Sequence, residues 1–126
     1  MKLLENKKAL VTGAARGIGR AIALAYANAG ADVAFTDLKI DDDAESLVRE
    51  IEATGRKVKA YASDASSYED CEKLVDNVLN DFGNIDILVN NAGITRDQLL
   101  MRMTETDWDL VIRVNLKSIF NMTKAI

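Results

Sequence analysis

Three glycines between two apolar segments are the residues whose spacing points most directly to chemistry. Residues 9–19 read Ala-Leu-Val-Thr-Gly-Ala-Ala-Arg-Gly-Ile-Gly, an apolar strand pattern that runs into an alanine-rich helix. Gly13 suits a tight turn, Gly17 lets the backbone approach a ligand, and Gly19 allows close packing of helix on strand. Because the N-terminus of a helix attracts anions, this segment predicts binding of a pyrophosphate. A purely structural turn would use glycines as well.

An acidic residue follows the next apolar segment at the spacing expected for a ribose ligand. Asp37 lies 18 residues after Gly19, close to the roughly 20 residues found in dinucleotide-binding folds. A carboxylate here repels a 2′-phosphate and therefore favours NAD over NADP. Arg16, within the glycine segment, argues in the other direction, so NADP stays the alternative.

These residues belong to a regular alternation of short strands and longer helices, which is typical of parallel βαβ units. Strands are predicted at 8–12, 32–37, 57–62 and 85–90, and four helices accompany them. Lys57 and Lys59 indicate an exposed sheet edge, whereas the uncharged segment 87–89 indicates a strand with neighbours on both sides. With right-handed crossovers, the sequence predicts an α/β Rossmann-type, doubly wound parallel sheet in partial form, with strand order 3-2-1-4.

Small and amide side chains follow the predicted fourth strand, where the strand order reverses. Residues 90–93 read Asn-Asn-Ala-Gly. The amides can hold neighbouring backbone while Ala and Gly leave room for a ligand, although an ordinary Asn-Gly turn is the alternative. The acidic triplet at 41–43 is interpreted as helix capping and not as a metal site.

The last predicted helix begins at a Thr104 cap and carries one conspicuous amide. Asn115 lies in the middle of an apolar stripe formed by Trp108, Val111, Ile112, Ile119 and Phe120. A buried amide without partners costs roughly 1–3 kcal/mol. Asn115 is therefore either a satisfied core residue or holds water or backbone beside a reacting group.

The amino-acid composition argues against several classes of binding partner and of catalytic site. The 126 residues carry a net charge of −4 without a basic cluster, so neither nucleic acid nor an anionic membrane is an expected partner. No apolar segment reaches the length of a membrane span, and a cytoplasmic location is expected. The single cysteine, Cys71, is expected to be a buried apolar residue. Since histidine is absent, histidine-dependent nucleophilic catalysis and histidine-bearing zinc sites are excluded, and no metal site is expected.

Together these motifs resemble those of the short-chain dehydrogenases/reductases. The matching segments, which follow the family's order and spacing, are 12–19, 64–65, 90–93 and the helix around Asn115. Residues 93–103 and 114–118 are further similar to the 3-oxoacyl-acyl carrier protein reductases. The resemblance implies NAD(P)H-dependent reduction of a 3-oxoacyl thioester in fatty acid biosynthesis, with acyl carrier protein as the carrier of the substrate. Another member of the family, acting on a small alcohol or ketone, is the alternative.

The resemblance also implies a role for each matching residue. The residues expected at the pyrophosphate and adenosine ribose are Gly13, Ala15, Arg16, Gly17, Ile18 and Gly19. Asp37 would select the cofactor, and Asp64 and Ala65 would contact the adenine. The residues expected near the ribose and pyrophosphate from the other side are Asn91, Ala92 and Gly93. Asn115 would hold a water in the proton relay and is the catalytic candidate.

The family's proton-transferring Ser, Tyr and Lys have no counterpart in this sequence. None of the tyrosines, Tyr26, Tyr61 and Tyr68, is followed four residues later by a lysine. We therefore expect residues 1–126 to be the N-terminal portion of a single NAD(P)-binding Rossmann domain, without its C-terminal half and inactive alone. A homo-oligomer is expected, as the resemblance implies. The alternative is an inert half-domain that binds nucleotide or self-associates.

Overall fold

The structure is a computed structural model that describes residues 2–93 and 103–126. The segment 94–102, which carries part of the resemblance to the acyl carrier protein reductases, lies outside the described residues.

Four parallel strands form a single sheet in the order β3-β2-β1-β4. Their bounds are β1 Lys8–Val11, β2 Asp32–Asp37, β3 Val58–Ala62 and β4 Ile87–Val89. The predicted order and the doubly wound fold class are confirmed, and β3 forms the lysine-bearing edge. β3 begins one residue later than predicted, and β4 is three residues shorter than its predicted run. In the described part of the chain, β4 pairs with β1 alone, so its predicted second neighbour is not found there.

The register between β1 and β4 is fixed by a reciprocal contact at their amino ends. The N–H of Lys8 donates to Oδ2 of Asp86 at 2.9 Å, and the N–H of Asp86 donates to the carbonyl of Lys8 at 2.8 Å. The hydrogen bond from the Lys8 backbone lowers the pKa of Asp86. This contact places the carboxyl ends of both strands side by side, where the candidate site lies.

Helices cover both faces of the sheet. Their bounds are α1 Gly17–Asn28, α2 Asp42–Glu52, α3 Tyr68–Phe82, α4 Glu105–Val111, a π-helical segment Ile112–Lys117 and α5 Ser118–Ala125. The last three follow one another with right-handed helical dihedral angles at each joint, so they form the single fourth helix that the sequence predicts. Thr104 caps it through a capping box with Asp107.

Alternating residues of the strands divide the core into two layers. Leu10 and Ala34 face α3 and α5, whereas Val11 and Phe35 face α1 and α2. Each of these four residues is at most 1% exposed. Apolar residues on both faces are expected for a parallel sheet that is covered by helices on both sides. The sheet, packed between these two layers of helices, positions the loops at the carboxyl ends of the strands.

The fourth helix packs with a different face from the one that the apolar pattern indicates. Its buried residues are Ser118, Asn121 and Met122, which lie against α3. The predicted stripe is largely exposed, with Trp108 and Phe120 each 58% accessible. The apolar stripe around Asn115 therefore forms an exposed surface in this structure. Asn121 on this buried face donates to the carbonyl of Ala65, in the loop that precedes α3.

Phe35 is buried and Phe120 is exposed, so replacing each with alanine should change the free energy of unfolding by different amounts. We expect Phe35→Ala to lower the free energy of unfolding by about 3–5 kcal/mol, because it empties a fully enclosed volume in the α1/α2 layer. Phe120→Ala, the matched control on the exposed face, should change it by less than about 0.5 kcal/mol. Urea unfolding followed by circular dichroism measures both values. Equal losses in the two variants would contradict the assignment of the core.

Candidate dinucleotide-binding site

A cleft of about 580 Å³ opens at the carboxyl ends of the strands. Loops that follow all four strands contribute to its wall, and Leu110 of α4 closes one side. The lining residues are Gly13, Arg16, Thr36, Asp37, Leu38, Ser63, Asp64, Ala65, Ser66, Asn91, Ala92, Gly93 and Leu110. The structure thus brings together eight of the residues that the sequence singles out. Those that do not line this cleft are Ala15, Gly17, Ile18, Gly19 and Asn115.

The three glycines of the first loop have different surroundings. Gly13 has φ +64°, and a Cβ there would lie 2.9 Å from Cα of Ala92, so a side chain would push the two loops apart. At Gly19 a Cβ would collide with the amide of Asn91 and the carbonyl of Gly13. Gly17 has φ +66°, yet no atom of the described residues lies within 4 Å of its Cβ position. Gly17 therefore faces open space that a ligand can enter.

The start of helix α1 offers unpaired backbone donors beside this space. The helix begins at Gly17, and among the described residues no side chain caps its first turn and no acidic side chain lies in it. In contrast, Asp41 caps α2 and Ser67 caps α3. The first N–H groups of a helix have no partner within the helix. The uncapped turn of α1 is therefore suited to an anionic ligand.

The hydroxyl of Thr12 joins the glycine loop to the loop after β4. Its Oγ1 accepts hydrogen bonds from the backbone N–H of Asn91 at 3.0 Å and of Ala92 at 2.9 Å, and it donates to the carbonyl of Val89. The Asn91 side chain returns a bond from Nδ2 to the carbonyl of Gly13 at 2.9 Å. The amide of Asn91 is thus used to hold backbone, one of the two roles that the sequence left open.

Asp37 lies at the end of β2 with its carboxylate against the glycine loop. One oxygen accepts from the N–H of Ala15 at 3.2 Å, and the other accepts from the N–H of Leu38 at 2.9 Å. A carboxylate offers about four acceptor positions. Asp37 can therefore hold the loop and still accept hydrogen bonds from two hydroxyl groups of a ligand in the cleft.

Asp64 and Ala65 form the wall opposite the glycine loop. Oδ1 of Asp64 accepts from the N–H of Ser66 at 2.9 Å and from its hydroxyl at 2.6 Å. The carbonyl of Ala65 accepts from Nδ2 of Asn121 at 3.2 Å and from the thiol of Cys71 at 3.5 Å. Burial raises the pKa of that thiol to about 11, with a smaller contribution from the carboxylates of Asp70 and Asp64. Helices α3 and α5 thus support this wall from behind.

Asn115 lies next to the loop after β4 and outside the cleft lining. It is half-buried, in the π-helical segment. Its Oδ1 is 2.8 Å from the position that a Cβ on Gly93 would take, so any side chain at 93 would displace it. The structure thus brings Asn115 against one predicted site residue, Gly93.

The sequence of this chain also matches a known protein family. Residues 7–126 match the family described as short chain dehydrogenase. The chain belongs to this family. The short-chain dehydrogenases are NAD(P)-dependent oxidoreductases, and the resemblance inferred from the sequence is confirmed.

Two short-chain dehydrogenases with assigned names illustrate the likeness. The 3-oxoacyl-[acyl-carrier-protein] reductase FabG of Thermotoga maritima is 47% identical over 98% of this chain and 50% of that protein. The 3-oxoacyl-[acyl-carrier-protein] reductase of Synechocystis is 44% identical over the whole of this chain and 51% of that protein. The chain therefore spans about half the length of the curated relatives it matches.

Solved structures of short-chain dehydrogenases share the fold closely. A short chain dehydrogenase from Burkholderia cenocepacia, in complex with NADP, is 43% identical with a TM-score of 0.91, covering 97% of this chain and 50% of that one. A short chain dehydrogenase from Mycobacterium avium is 36% identical with a TM-score of 0.93, covering 99% of this chain and 47% of that one.

Three residues that support the site in this short-chain dehydrogenase were given no role by the sequence analysis. They are Thr12, Arg20 and Asn121. Nη1 of Arg20 donates to the carbonyl of Ala15 at 2.9 Å and to that of Asp43 at 2.8 Å, which ties the glycine loop to the start of α2. The threonine directly before Gly13 was a usable signal. The long-range partners of Arg20 and Asn121 are not visible in local sequence.

Within residues 2–93 and 103–126, no cluster of three or more His, Cys, Asp or Glu side chains could hold a metal ion. Over the same ranges, none of the helices has the length and apolar character needed to cross a membrane.

The hydroxyl of Thr12 provides a direct test of how the loops are held. Thr12→Val keeps the shape but leaves the N–H groups of Asn91 and Ala92 without their acceptor. We expect it to lower the free energy of unfolding by about 1–3 kcal/mol. Thr12→Ser retains the hydroxyl and is the matched control, with most of the stability preserved. If chemical denaturation gives the valine variant wild-type stability, the hydroxyl does not join the two loops.

Proposed function

We propose that this chain forms the nucleotide-binding part of an oxidoreductase that reduces a 3-oxoacyl thioester on acyl carrier protein. The observation that carries the proposal is the convergence of Gly13, Asp37, Asp64 and Asn91 on one cleft beside the uncapped start of α1. The substrate class rests on relatives at 44–47% identity that are named 3-oxoacyl-[acyl-carrier-protein] reductases. The activity of such a reductase belongs to proteins about twice as long as this chain.

The residues of the cleft fit a dinucleotide in an order that follows the strands. The first turn of α1 and the open face of Gly17 would hold the pyrophosphate. Asp37 would accept hydrogen bonds from the adenosine ribose, and Asp64 with Ala65 would border the adenine. Asn91, Ala92 and Gly93 would lie along the opposite side of the ribose and pyrophosphate. The remaining predicted contacts, from Ala15, Arg16, Ile18 and Gly19, belong to the same loop and helix start.

In the proposed reduction, the cofactor and the protein contribute different groups. A bound nicotinamide supplies the hydride. Asn115, which is placed against Gly93, would orient water or backbone for proton delivery. The Ser, Tyr and Lys that the family resemblance implies for the proton donor are not found in the 126 residues. We therefore propose that the chain alone binds nucleotide without catalysing the reduction.

The absence of a proton donor leads to a direct kinetic prediction. The purified chain should show no measurable NADH- or NADPH-dependent reduction of an acetoacetyl thioester, followed at the absorbance of the reduced nicotinamide. Loss of a general acid alone costs about 10²- to 10⁴-fold in rate. Calorimetric titration of the same sample with NADH checks that nucleotide still binds. Sustained turnover by material of verified 13.8 kDa mass would contradict the proposal.

Cofactor choice is proposed to favour NAD(H), with NADP(H) as the alternative, because Asp37 places a negative charge where a 2′-phosphate would lie. Asp37→Ser should lower the affinity for NADH about tenfold, since a charged hydrogen-bond acceptor is lost. The same change should raise the affinity for NADPH, because the repulsion is removed. Asp76→Ser, on the exposed side of α3, changes the net charge equally and is the control. Parallel changes for both nucleotides at Asp37 would contradict its role in selection.

A second candidate function rests on the exposed face of the fourth helix. Ile112, Leu116, Ile119 and Phe120 are between 40% and 62% accessible and lie side by side. An apolar surface of this kind favours association. A half-domain that self-associates without turnover is therefore the alternative to the reductase, and a homo-oligomer is part of both proposals. A short-chain dehydrogenase acting on a small alcohol or ketone is the alternative in substrate.

A further inference from the structure

Arg16 is the cation of the glycine loop, and two acidic residues at the start of α2 pair with it: the N-cap Asp41 and Asp43 in the first turn. Its Nη2 lies 2.6 Å from Oδ2 of Asp41, and its Nε lies 3.2 Å from Oδ2 of Asp43. Arg16 also lines the cleft, on the same rim as Asp37. Its guanidinium therefore lies beside the place where an adenosine ribose would bind, with its charge already matched by two carboxylates.

The acidic pair is itself anchored and does not simply follow the arginine. Oδ1 of Asp41 accepts from the N–H of Ala44 at 3.1 Å as the cap of α2, which leaves Oδ2 for Arg16. That backbone bond, together with the charge of Arg16, lowers the pKa of Asp41. Arg20 binds the carbonyls of Asp43 and Ala15 and so fixes the start of α2 relative to the glycine loop.

We propose that Asp41 and Asp43 are specificity-determining residues that hold Arg16 at the start of α2 and thereby weaken binding of a nucleotide carrying a 2′-phosphate. The inference rests on the proposed nucleotide binding and adds a second determinant of cofactor choice to Asp37. An arginine in this neighbourhood is the group that accommodates a 2′-phosphate in dinucleotide folds. Here the 2′-phosphate would have to compete with two carboxylates for Arg16.

The competition is of moderate size because the ion pairs are open to solvent. The Arg16 side chain is 62% accessible, and those of Asp41 and Asp43 are 40% and 59% accessible. Exposed pairs contribute little individually, whereas a phosphate monoester carries nearly two negative charges. Neutralising both acids should therefore raise the affinity for NADPH by about 3- to 30-fold.

The test is a calorimetric titration of NADH and NADPH into four forms of the chain. These are the wild type, D41N/D43N, R16A and R16A/D41N/D43N. Asparagine caps a helix about as well as aspartate, so D41N keeps the start of α2 intact. D42N/E45Q removes the same amount of charge from the same helical turn and is the matched control, because neither Asp42 nor Glu45 is paired with Arg16 in any contact described above.

The expected result is a gain in NADPH affinity in D41N/D43N with little change for NADH. The gain should vanish in the R16A background and be absent from D42N/E45Q. The proposal would be overturned if NADPH affinity also rose in R16A/D41N/D43N relative to R16A, or if D42N/E45Q raised it equally. Either result would mean that the net charge of the protein, and not the pairing with Arg16, controls NADPH binding. Binding of both nucleotides with an unchanged ratio would overturn this inference alone. If neither nucleotide binds any form, the proposed nucleotide site fails as well.

Discussion

The hydroxyl of Thr12 is the contact on which the candidate site depends. Thr12 directly follows β1, and its Oγ1 accepts hydrogen bonds from the backbone N–H groups of Asn91 and Ala92 in the loop after β4. Without an acceptor there, two half-buried donors would lose their partners at the point where the strand order reverses. Gly13 and Ala92 approach each other directly beside it, so the separation of the two loops is set by their backbones, by this oxygen and by the bond from the Asn91 amide to the carbonyl of Gly13. The shape of the cleft follows from that separation.

The other walls are held by side chains that reach across the fold. Arg20 bridges the glycine loop and α2, and Asn121 reaches from the fourth helix to the carbonyl of Ala65. Each is a long-range contact between elements that the sheet already positions. The site is therefore a product of the parallel layers: strands bring the loops to one edge, and polar side chains on the covering helices fix them there.

The sequence predicts the elements of this fold better than it predicts how the last helix faces. Lys57, just before β3, and Lys59 on β3 indicate the exposed edge of the sheet, because charge on a strand reports exposure. The uncharged segment 87–89 predicts a second neighbour for β4 that the described residues do not show. Gly13 and Asp37, which the sequence singles out, both line the cleft, and the positive φ of Gly13 is the kind of backbone restriction that glycine reports. The fourth helix has two candidate faces, one rich in large apolar residues and one that carries Ser118, Asn121 and Met122. Packing against α3 selects the second, and the partner carbonyl of Asn121 lies 56 residues away, beyond any local pattern.

The buried thiol of Cys71 has a consequence for how the chain withstands oxidation. Burial raises its pKa to about 11, so the sulfur is protonated at pH 7, whereas the thiolate is the form that reacts with peroxides and disulfides. The side chain is also fully enclosed behind the Ala65 wall. Intermolecular cross-linking through sulfur therefore requires the α3 layer to open first, so alkylation by a thiol reagent would report local unfolding and not surface chemistry.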